Sequence, residues 1–481
     1  MAYLALIPIL LPIVTGFGLL LHPITARRAR ERYVMLSLLL SVAAALAVLF
    51  GGPAGTWTLL RFGGNATLAF HADGLSKIFG AMAAILWIPA TIYAFSYMEH
   101  EGGEVRFFAF YLMSLGVTEG IALSANPITL YLFYELLTLA TLPIVMHQMD
   151  GKARYAGKLY VAFSMGGAGI AFAAVIYLMI YAPGETSFIM GGFLNPAQML
   201  PLATLTQVIF LLGFFGFGVK AAVFPIHAWL PAASVAPTPV TALLHAVAVV
   251  KAGVFAVIRI TYYAFGVELL AGGIAQQVMM LTAIVTIVYG SARALRMPHF
   301  KRRLAYSTIS NLSYMLFGVS LMTPAGLSAA LLHMVVHAAS KITLFFCAGA
   351  VLCQTGKEYV YELRGMRRRM PIVMGCFLVT GLCLMGVPPL GGFTSKWALG
   401  SAAVAAGGVL PLLGVAALII SAVLTALYIF SVVIVACQPD PEGAPKCEPG
   451  RYMTGPLIGL TAATLAVSLA AGWLLRVFAL V

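Results

Sequence analysis

The chain has 481 residues, 62% of them hydrophobic and only 9% charged, with a mean hydropathy of +0.99. Those proportions exclude an ordinary soluble core, and no hydrophilic stretch is long enough for a separate soluble domain, so residues 1–481 read as one polytopic membrane domain. A formal net charge of +13 would suggest nucleic acid in a soluble protein, but here it reports topology, and no nucleic-acid partner is expected.

Apolar runs of about 20 residues, enough to span ~30 Å of hydrocarbon, recur along the whole chain. We read fourteen spans, at 3–22, 34–51, 74–97, 106–124, 126–147, 157–182, 203–234, 238–263, 271–294, 301–322, 325–354, 371–404, 409–437 and 452–478. The fold class is therefore all-α. The first span is followed, not preceded, by Arg27, Arg28, Arg30 and Arg32, the reverse of a secretory signal, so it is expected to remain as a helix. Three spans are too long for one simple helix. The seventh is interrupted near Pro225 and the twelfth at Pro388-Pro389 before Gly391-Gly392, while the eleventh is free of proline but carries three ionisable groups.

Basic residues fix the orientation. Twenty of the 28 Lys and Arg lie in loops after odd-numbered spans, whereas Arg61, Lys77, Arg259 and Arg476 lie on the other side and four lysines lie inside spans. The positive-inside rule then places both termini outside the cytoplasmic (inner) membrane. Spans 4–8 (106–263) and 9–13 (271–437) form two five-helix blocks, preceded by spans 1–3 (1–105) and followed by span 14 (452–478). An odd number of helices gives the blocks opposite topology. Broken helices 7 and 12 are the fourth member of each, and each carries a lysine next to its break, Lys220 and Lys396. This is the pattern of two inverted repeats with a site near the midplane.

Lys220, Lys251, Lys341 and Lys396 stand inside spans, as does Glu135 in Tyr131-Leu-Phe-Tyr-Glu135. A charge at the bilayer centre costs ~2.5–3.5 kcal/mol on insertion scales, so such groups line a hydrated cavity or pair with one another. A poorly hydrated lysine is also easier to deprotonate, which makes it a proton carrier. The functional reading is a lateral relay: Glu135 pairs with Lys220, and the proton passes through Lys251 and the eleventh span to Lys396. The bland alternative is lysines that anchor packing or snorkel to an interface.

His333, His337 and Lys341, at i, i+4 and i+8, advance ~6 Å per step and drift ~40°, one continuous titratable stripe. The stripe could conduct protons between the broken helices, bind a metal through its histidine pair, or simply pack. No His-Glu-x-x-His acid accompanies it. His245 lies six residues before Lys251, on another face of an unbroken helix, so the two line one path only if the eighth span is distorted. His227 has a structural alternative, hydrogen bonding to carbonyls freed around Pro225–Pro239. Glu119, in the fourth span, extends the path outward or reaches interfacial water; Glu99, Glu101 and Glu104 read as solvated. Six cysteines include no C-x-x-C pair, so no iron–sulfur or zinc site, and no cofactor, is expected in this chain.

Tyr134-Glu135-Leu-Leu-Thr, Gly218-Val-Lys220 through His227-Ala-Trp-Leu-Pro231, Pro237-Thr-Pro239 through Lys251-Ala-Gly253, Arg303-Leu-Ala-Tyr-Ser307, His333-Met-Val-Val-His337 with Lys341, and Gly386 to Lys396 cover nearly all of spans 4–12. By these segments the chain resembles the antiporter-like subunits shared by respiratory complex I, membrane-bound hydrogenases and Mrp-type cation/proton antiporters. Leu137-Thr-Leu-Ala-Thr-Leu-Pro143 through His147 looks most like the D-type antiporter subunit and its hydrogenase relatives. The resemblance implies fourteen helices with inverted repeats, working within a larger membrane complex. It also implies Glu135 and Lys220 as the driving pair, Lys251 with His333, His337 and Lys341 as the central relay, and Lys396 near the outward exit. Some relatives carry a glutamate at that last position, and Glu119 is outside the family pattern. The chain ends soon after span 14, without a long lateral helix, which disfavours the distal complex I subunit.

The expected function is proton translocation within an energy-coupling complex, driven by a redox module with its own Fe–S centres or by sodium exchange in an Mrp-like antiporter. The expected partners are other membrane subunits, the lipid bilayer, protons and, in the second case, Na+. A structural membrane-arm subunit without ion flux is the alternative of a different class; the chain shows no active site of its own.

Overall fold

The computed structural model describes residues 6–52, 55–63, 66–182, 184, 186–440, 443 and 445–480, so residues 3–5 of the first expected span lie outside the described ones. Helices α1 (Ile7–Leu21) and α2 (Arg27–Gly51) lead into an antiparallel hairpin, β1 (Trp57–Gly63) and β2 (Ala66–Phe70). Then come α3 (Gly74–Tyr97), α4 (Glu104–Ala122), α5 (Pro127–Val145) and α6 (Gly151–Tyr181). Three of these start on side-chain caps: Asp73, Asn126 and Asp150 accept from the backbone N–H of Ser76, Thr129 and Ala153.

The chain is mostly helical, as the all-α class expects, and the two-stranded hairpin is an addition to it. Its strands, of seven and five residues, are too short for hydropathy counting over twenty-residue spans to register. Asn126 and Thr129 hold it to α5, with Asn126 Nδ2 donating to the Thr67 carbonyl at 2.9 Å and Phe70 bridging to Ser124.

After a short helix α7 (Pro196–Met199), α8 (Ala203–Gly218) stops, and turns carry the chain through Lys220 to α9 (Trp229–Ala232). The next span is broken too. Helix α10 (Thr238–Ala246) ends, Val247 and Ala248 leave helical geometry, and α11 (Val249–Ile258) restarts before a π-helical turn, Arg259–Phe265. This break carries no proline or glycine, which is why the sequence did not announce it. Past the short α12 (Val267–Leu270) come α13 (Ile274–Arg296) and α14 (Phe300–Ser320).

Helix α15 (Pro324–Thr355) runs 32 residues without interruption, correcting the expectation that the eleventh span is too long for one helix. It packs against α3, α10 and α14 and against the later α17 and α18, and so forms the centre of the bundle. A short α16 (Met366–Arg369) precedes α17 (Pro371–Met385), and the expected interruption follows at 386–390, with α18 (Gly391–Ala406) beyond it. A Cβ on Gly392 would stand 1.7 Å from the Cys383 carbonyl oxygen, so only glycine lets the two segments approach this closely. Helices α19 (Val409–Cys437) and α20 (Arg451–Phe478) close the bundle.

Eleven helices of the described chain are long and apolar enough to cross a membrane, and Ile7–Leu21 and Pro371–Met385 are shorter apolar helices. The protein is multi-pass. Basic side chains also do more than mark topology: Arg30 is buried and paired with Glu104, and Arg27 pairs with Glu99. Gln148 donates to Glu101, so these three acids have partners while Glu99 is exposed and Glu101 and Glu104 are half-buried, in keeping with the solvated reading.

Candidate functional site

Lys220 sits in the loop that replaces the end of α8. Its ammonium donates to the Tyr134 carbonyl and stands 3.6 Å from the centroid of the Tyr134 ring, while the Tyr134 hydroxyl donates to the Phe217 carbonyl at 2.9 Å. Glu135, the next residue, is half-buried and leaves Oε1 without a hydrogen-bond partner. Among the described residues Lys220 hydrogen-bonds the Tyr134 carbonyl and not the Glu135 carboxylate, although each of the two charged groups lies in the other's field. Lys220 is held against the next helix by Gly253, where a Cβ would meet the Ala221 nitrogen at 2.4 Å.

Lys251 lies two residues before that glycine, just past the α10–α11 break. Its Nζ is 2.6 Å from His337 Nδ1 on α15, with both side chains buried. The His337 and His333 rings are 6.1 Å apart. His333 is bonded on both sides, to Ser395 Oγ at 3.0 Å and Asn311 Oδ1 at 3.2 Å. Ser395 precedes Lys396, whose Nζ donates to the carbonyls of Leu384 and Met385 at 2.9 Å each, across the 386–390 break.

Lys341 does not join this line. Its Nζ turns to the Leu304 carbonyl (2.9 Å) and Ser307 Oγ (2.6 Å) on α14, so the single titratable stripe expected on α15 divides, with the imidazoles facing one way and the lysine another. Each step of four residues overshoots a whole turn by ~40°, and over eight residues the drift selects different neighbours.

His245 is fully buried with both ring nitrogens unpartnered, 4.8 Å from the Phe345 ring and within the field of Lys341, Lys251 and Lys301. The distortion that its pairing with Lys251 requires is present. His227 lies apart, with Nε2 on the Tyr289 hydroxyl at 3.1 Å. Glu119 is buried beside Gly80 with neither carboxylate oxygen hydrogen-bonded, so it does not reach interfacial water as one reading had it.

Two openings lie nearby, and one of them includes a residue of this row. A polar cavity of about 320 Å³, lined by Tyr97, Glu101, Ser234, His299 and Lys301, places Lys301 on the Ala236 carbonyl at 3.1 Å. An apolar groove of about 620 Å³ between α18 and α19 has Lys396 in its wall, beside Phe393 and Trp397. Sequence reasoning counted Lys301 only as a topology marker, named Ser307 only within a family segment and passed over Asn311 and Ser395. A serine directly before a span lysine, and an asparagine mid-span, were the available signals.

No group of three or more His, Cys, Asp or Glu among the described residues is placed to hold a metal. The chemistry this arrangement offers is proton exchange between amines, imidazoles and hydroxyls in a water-poor interior.

Residues 124–425 match the family described as NADH:quinone oxidoreductase/Mrp antiporter, transmembrane. The chain is 31% identical over 427 residues to the NADH-quinone oxidoreductase subunit N of Desulforudis audaxviator (strain MP104C), covering 82% of this chain and 79% of that one. To the chloroplastic NAD(P)H-quinone oxidoreductase subunit 5 of Ipomoea purpurea it is 30% identical over 419 residues; the match covers 81% of this chain and 57% of that protein, so little more than half of it is spanned. In fold it is similar to a chain of the Mrp complex from Dietzia sp. DQ12-45-1b, with a TM-score of 0.85, 21% identity and coverage of 99% and 96%.

Proposed function

The chain belongs to the NADH:quinone oxidoreductase/Mrp antiporter transmembrane family, and from that premise we propose that it is the proton-translocating, antiporter-like subunit of a multisubunit energy-coupling membrane complex. In this reading Glu135 and Lys220 form the opening and closing pair, protons pass from Lys220 to Lys251, and His337, His333 and Ser395 lead to Lys396. Closing the Glu135–Lys220 pair favours the protonated lysine, and opening it releases that hold.

The observation that carries the proposal is the buried Lys251–His337 hydrogen bond at 2.6 Å, which ties a broken helix to the central one with no carboxylate in the contact. Amine and imidazole sharing one proton is an arrangement for transfer, since packing alone is served by apolar groups at far lower desolvation cost. The polar cavity at Lys301 supplies an entrance and the groove at Lys396 an exit.

The finer architecture belongs to the same proposal: fourteen spans, two inverted repeats over 106–263 and 271–437, both termini outside the cytoplasmic membrane. The breaks at 219–228 and 386–390, each with its lysine, support it. Redox coupling is the reading favoured by the relatives' names, with membrane subunits and an Fe–S module as partners; sodium exchange is the alternative.

Replacing Lys220 or Glu135 with alanine in the complex purified from its native membrane and reconstituted in liposomes is expected to abolish proton flux at normal assembly. Preserved flux would leave a structural arm as the function. Mass spectrometry of the co-purifying chains, with an iron assay, separates the couplings: iron-rich partners mean a redox-driven pump, and small metal-free membrane subunits mean a cation/proton antiporter.

A further inference from the structure

Lys341 faces away from the imidazoles, and what it faces is a run of hydroxyls. Its partner Ser307 Oγ also accepts from the Tyr428 hydroxyl at 2.8 Å. One turn along α19 from Tyr428, Thr425 interacts with it, and one turn further is Ser421. Ser421 Oγ is the hub of a second cluster: Ser291 Oγ at 2.5 Å, Ser310 Oγ at 3.1 Å, and the Tyr314 hydroxyl donating at 2.7 Å. Tyr314 in turn lays its ring 5.3 Å from Lys396 Nζ and 5.1 Å from the His333 ring. All of these side chains are buried except Lys396, which is half-buried.

We propose that Ser307, Tyr428, Ser421 and Tyr314 form a second proton-conducting branch from Lys341 to Lys396, running beside the imidazole branch through His337 and His333. The branch rests on the proton-translocating reading above. Ser307 and Ser310 lie one turn apart on α14, and the route calls for one water between the Ser307–Tyr428 pair and the Ser421 cluster and another between the Tyr314 hydroxyl and Lys396. At each hop one oxygen takes a proton from the previous group while giving its own to the next. No hydroxyl keeps a charge, the Lys341 ammonium ends as an amine, and the Lys396 amine ends as an ammonium. The Tyr428 hydroxyl now points its proton at Ser307 and the Tyr314 hydroxyl points its own at Ser421, so a transfer toward Lys396 begins with both hydroxyls turning to accept.

Hydroxyls between membrane helices also act as glue, and a glue role predicts that losing them lowers assembly without regard to the histidines. Two parallel branches predict non-additivity instead. In the reconstituted complex, His333→Gln and Tyr428→Phe are each expected to lower proton flux about two-fold, and the double variant to lower it by more than about tenfold. The flux remaining in His333→Gln should be slowed in D2O. Ser421→Ala, in the other hydroxyl cluster, should reproduce the loss in the His333→Gln background, which covers the case in which the Tyr428 variant fails to assemble. The branch is overturned if His333→Gln alone removes all flux, or if Tyr428→Phe and Ser421→Ala leave the His333→Gln residue of flux unchanged. Lys220→Ala separates the two levels: flux that survives it sinks the translocating reading itself, whereas flux that it abolishes, with no effect of the hydroxyl variants, sinks only the branch.

Discussion

Asp73 and Arg259 clamp the start of α3 to the end of α11, and Asp73→Asn isolates the charge in that clamp. Arg259, only 1% exposed, gives both terminal nitrogens to the Asp73 carboxylate, one of them at 2.8 Å, and another bond to Ser76 Oγ at 2.9 Å. Its guanidinium also faces the Phe188, Phe255 and Tyr263 rings at 4.7–5.2 Å. Burial pushes the Asp73 carboxyl up, but the Arg259 charge and the bonds from Arg259 and Ser76 outweigh it and hold the group down to about 2, against an ordinary 3.8. That difference, at 1.36 kcal/mol per unit, makes the charge worth about 2 kcal/mol at neutral pH. Losing the partner of a buried ion costs ~3–5 kcal/mol where nothing else holds it; here Ser76 and three rings remain, so the smaller figure governs. Asparagine keeps the helix cap, because it caps as well as aspartate. Because the folded carboxyl is depressed, its contribution is complete above about pH 4 and lost as pH falls through 2, with about half gone at pH 3. Unfolding in detergent can be followed by a thiol-reactive dye, since Cys347, Cys376 and Cys383 are free and buried. The variant should unfold a few °C lower at pH 7, and its deficit should shrink at pH 3. An unchanged midpoint at pH 7, or an equal deficit at both, would refute the electrostatic account.

Gly253→Ala forces a methyl against the Ala221 nitrogen at 2.4 Å and the Lys220 carbonyl carbon at 2.8 Å. Backbone cannot step aside as a side chain can, so overpacking costs about 1–3 kcal/mol and displaces Lys220 from Tyr134. Proton flux should fall at least about tenfold in this variant, while Gly459→Ala, which opens on empty space, leaves it intact; equal fluxes would mean that the Lys220 loop tolerates displacement. His299 caps α14, accepting at Nδ1 from the Arg302 N–H, and burial lowers it to about 4 against the pull of Glu358. It is therefore neutral at pH 7, and the stability tied to it is present above pH 6.5 and lost as pH falls through 4. His299→Asn should flatten the unfolding midpoint across that window, and superimposable pH profiles would show that His299 does not titrate there.

Much of the site was legible because a membrane makes its exceptions visible. Lys220, Lys251, Lys341 and Lys396 stood out against apolar runs, and Pro225 and Pro388-Pro389 marked two interruptions that the structure contains. What escaped notice lacked a strong local signal. The α10–α11 break involves Val247 and Ala248, residues that occur inside any helix and carry no local breaking signal. The hairpin at 57–70 is too short and too mixed to register on a scale tuned to twenty-residue spans. Lys301 sat among loop basics by composition, and only tertiary contacts bury it. The division of His333 and His337 from Lys341 depends on which neighbours α14 and α19 bring up, information that spacing on one helix does not hold.

The unbroken α15 sets a limit on how such a chain can evolve. It measures ~48 Å from end to end, and every group on it is indexed to the same screw. One residue inserted between His337 and Lys341 would turn Lys341 by ~100°, away from Ser307 and Leu304, while leaving its chemistry untouched. Side chains on this rod are open to exchange by substitution, but its residue count is not free to vary. Insertions and deletions should therefore accumulate in the loops and stay out of positions 333–341, so the register of this helix is the quantity that selection would guard.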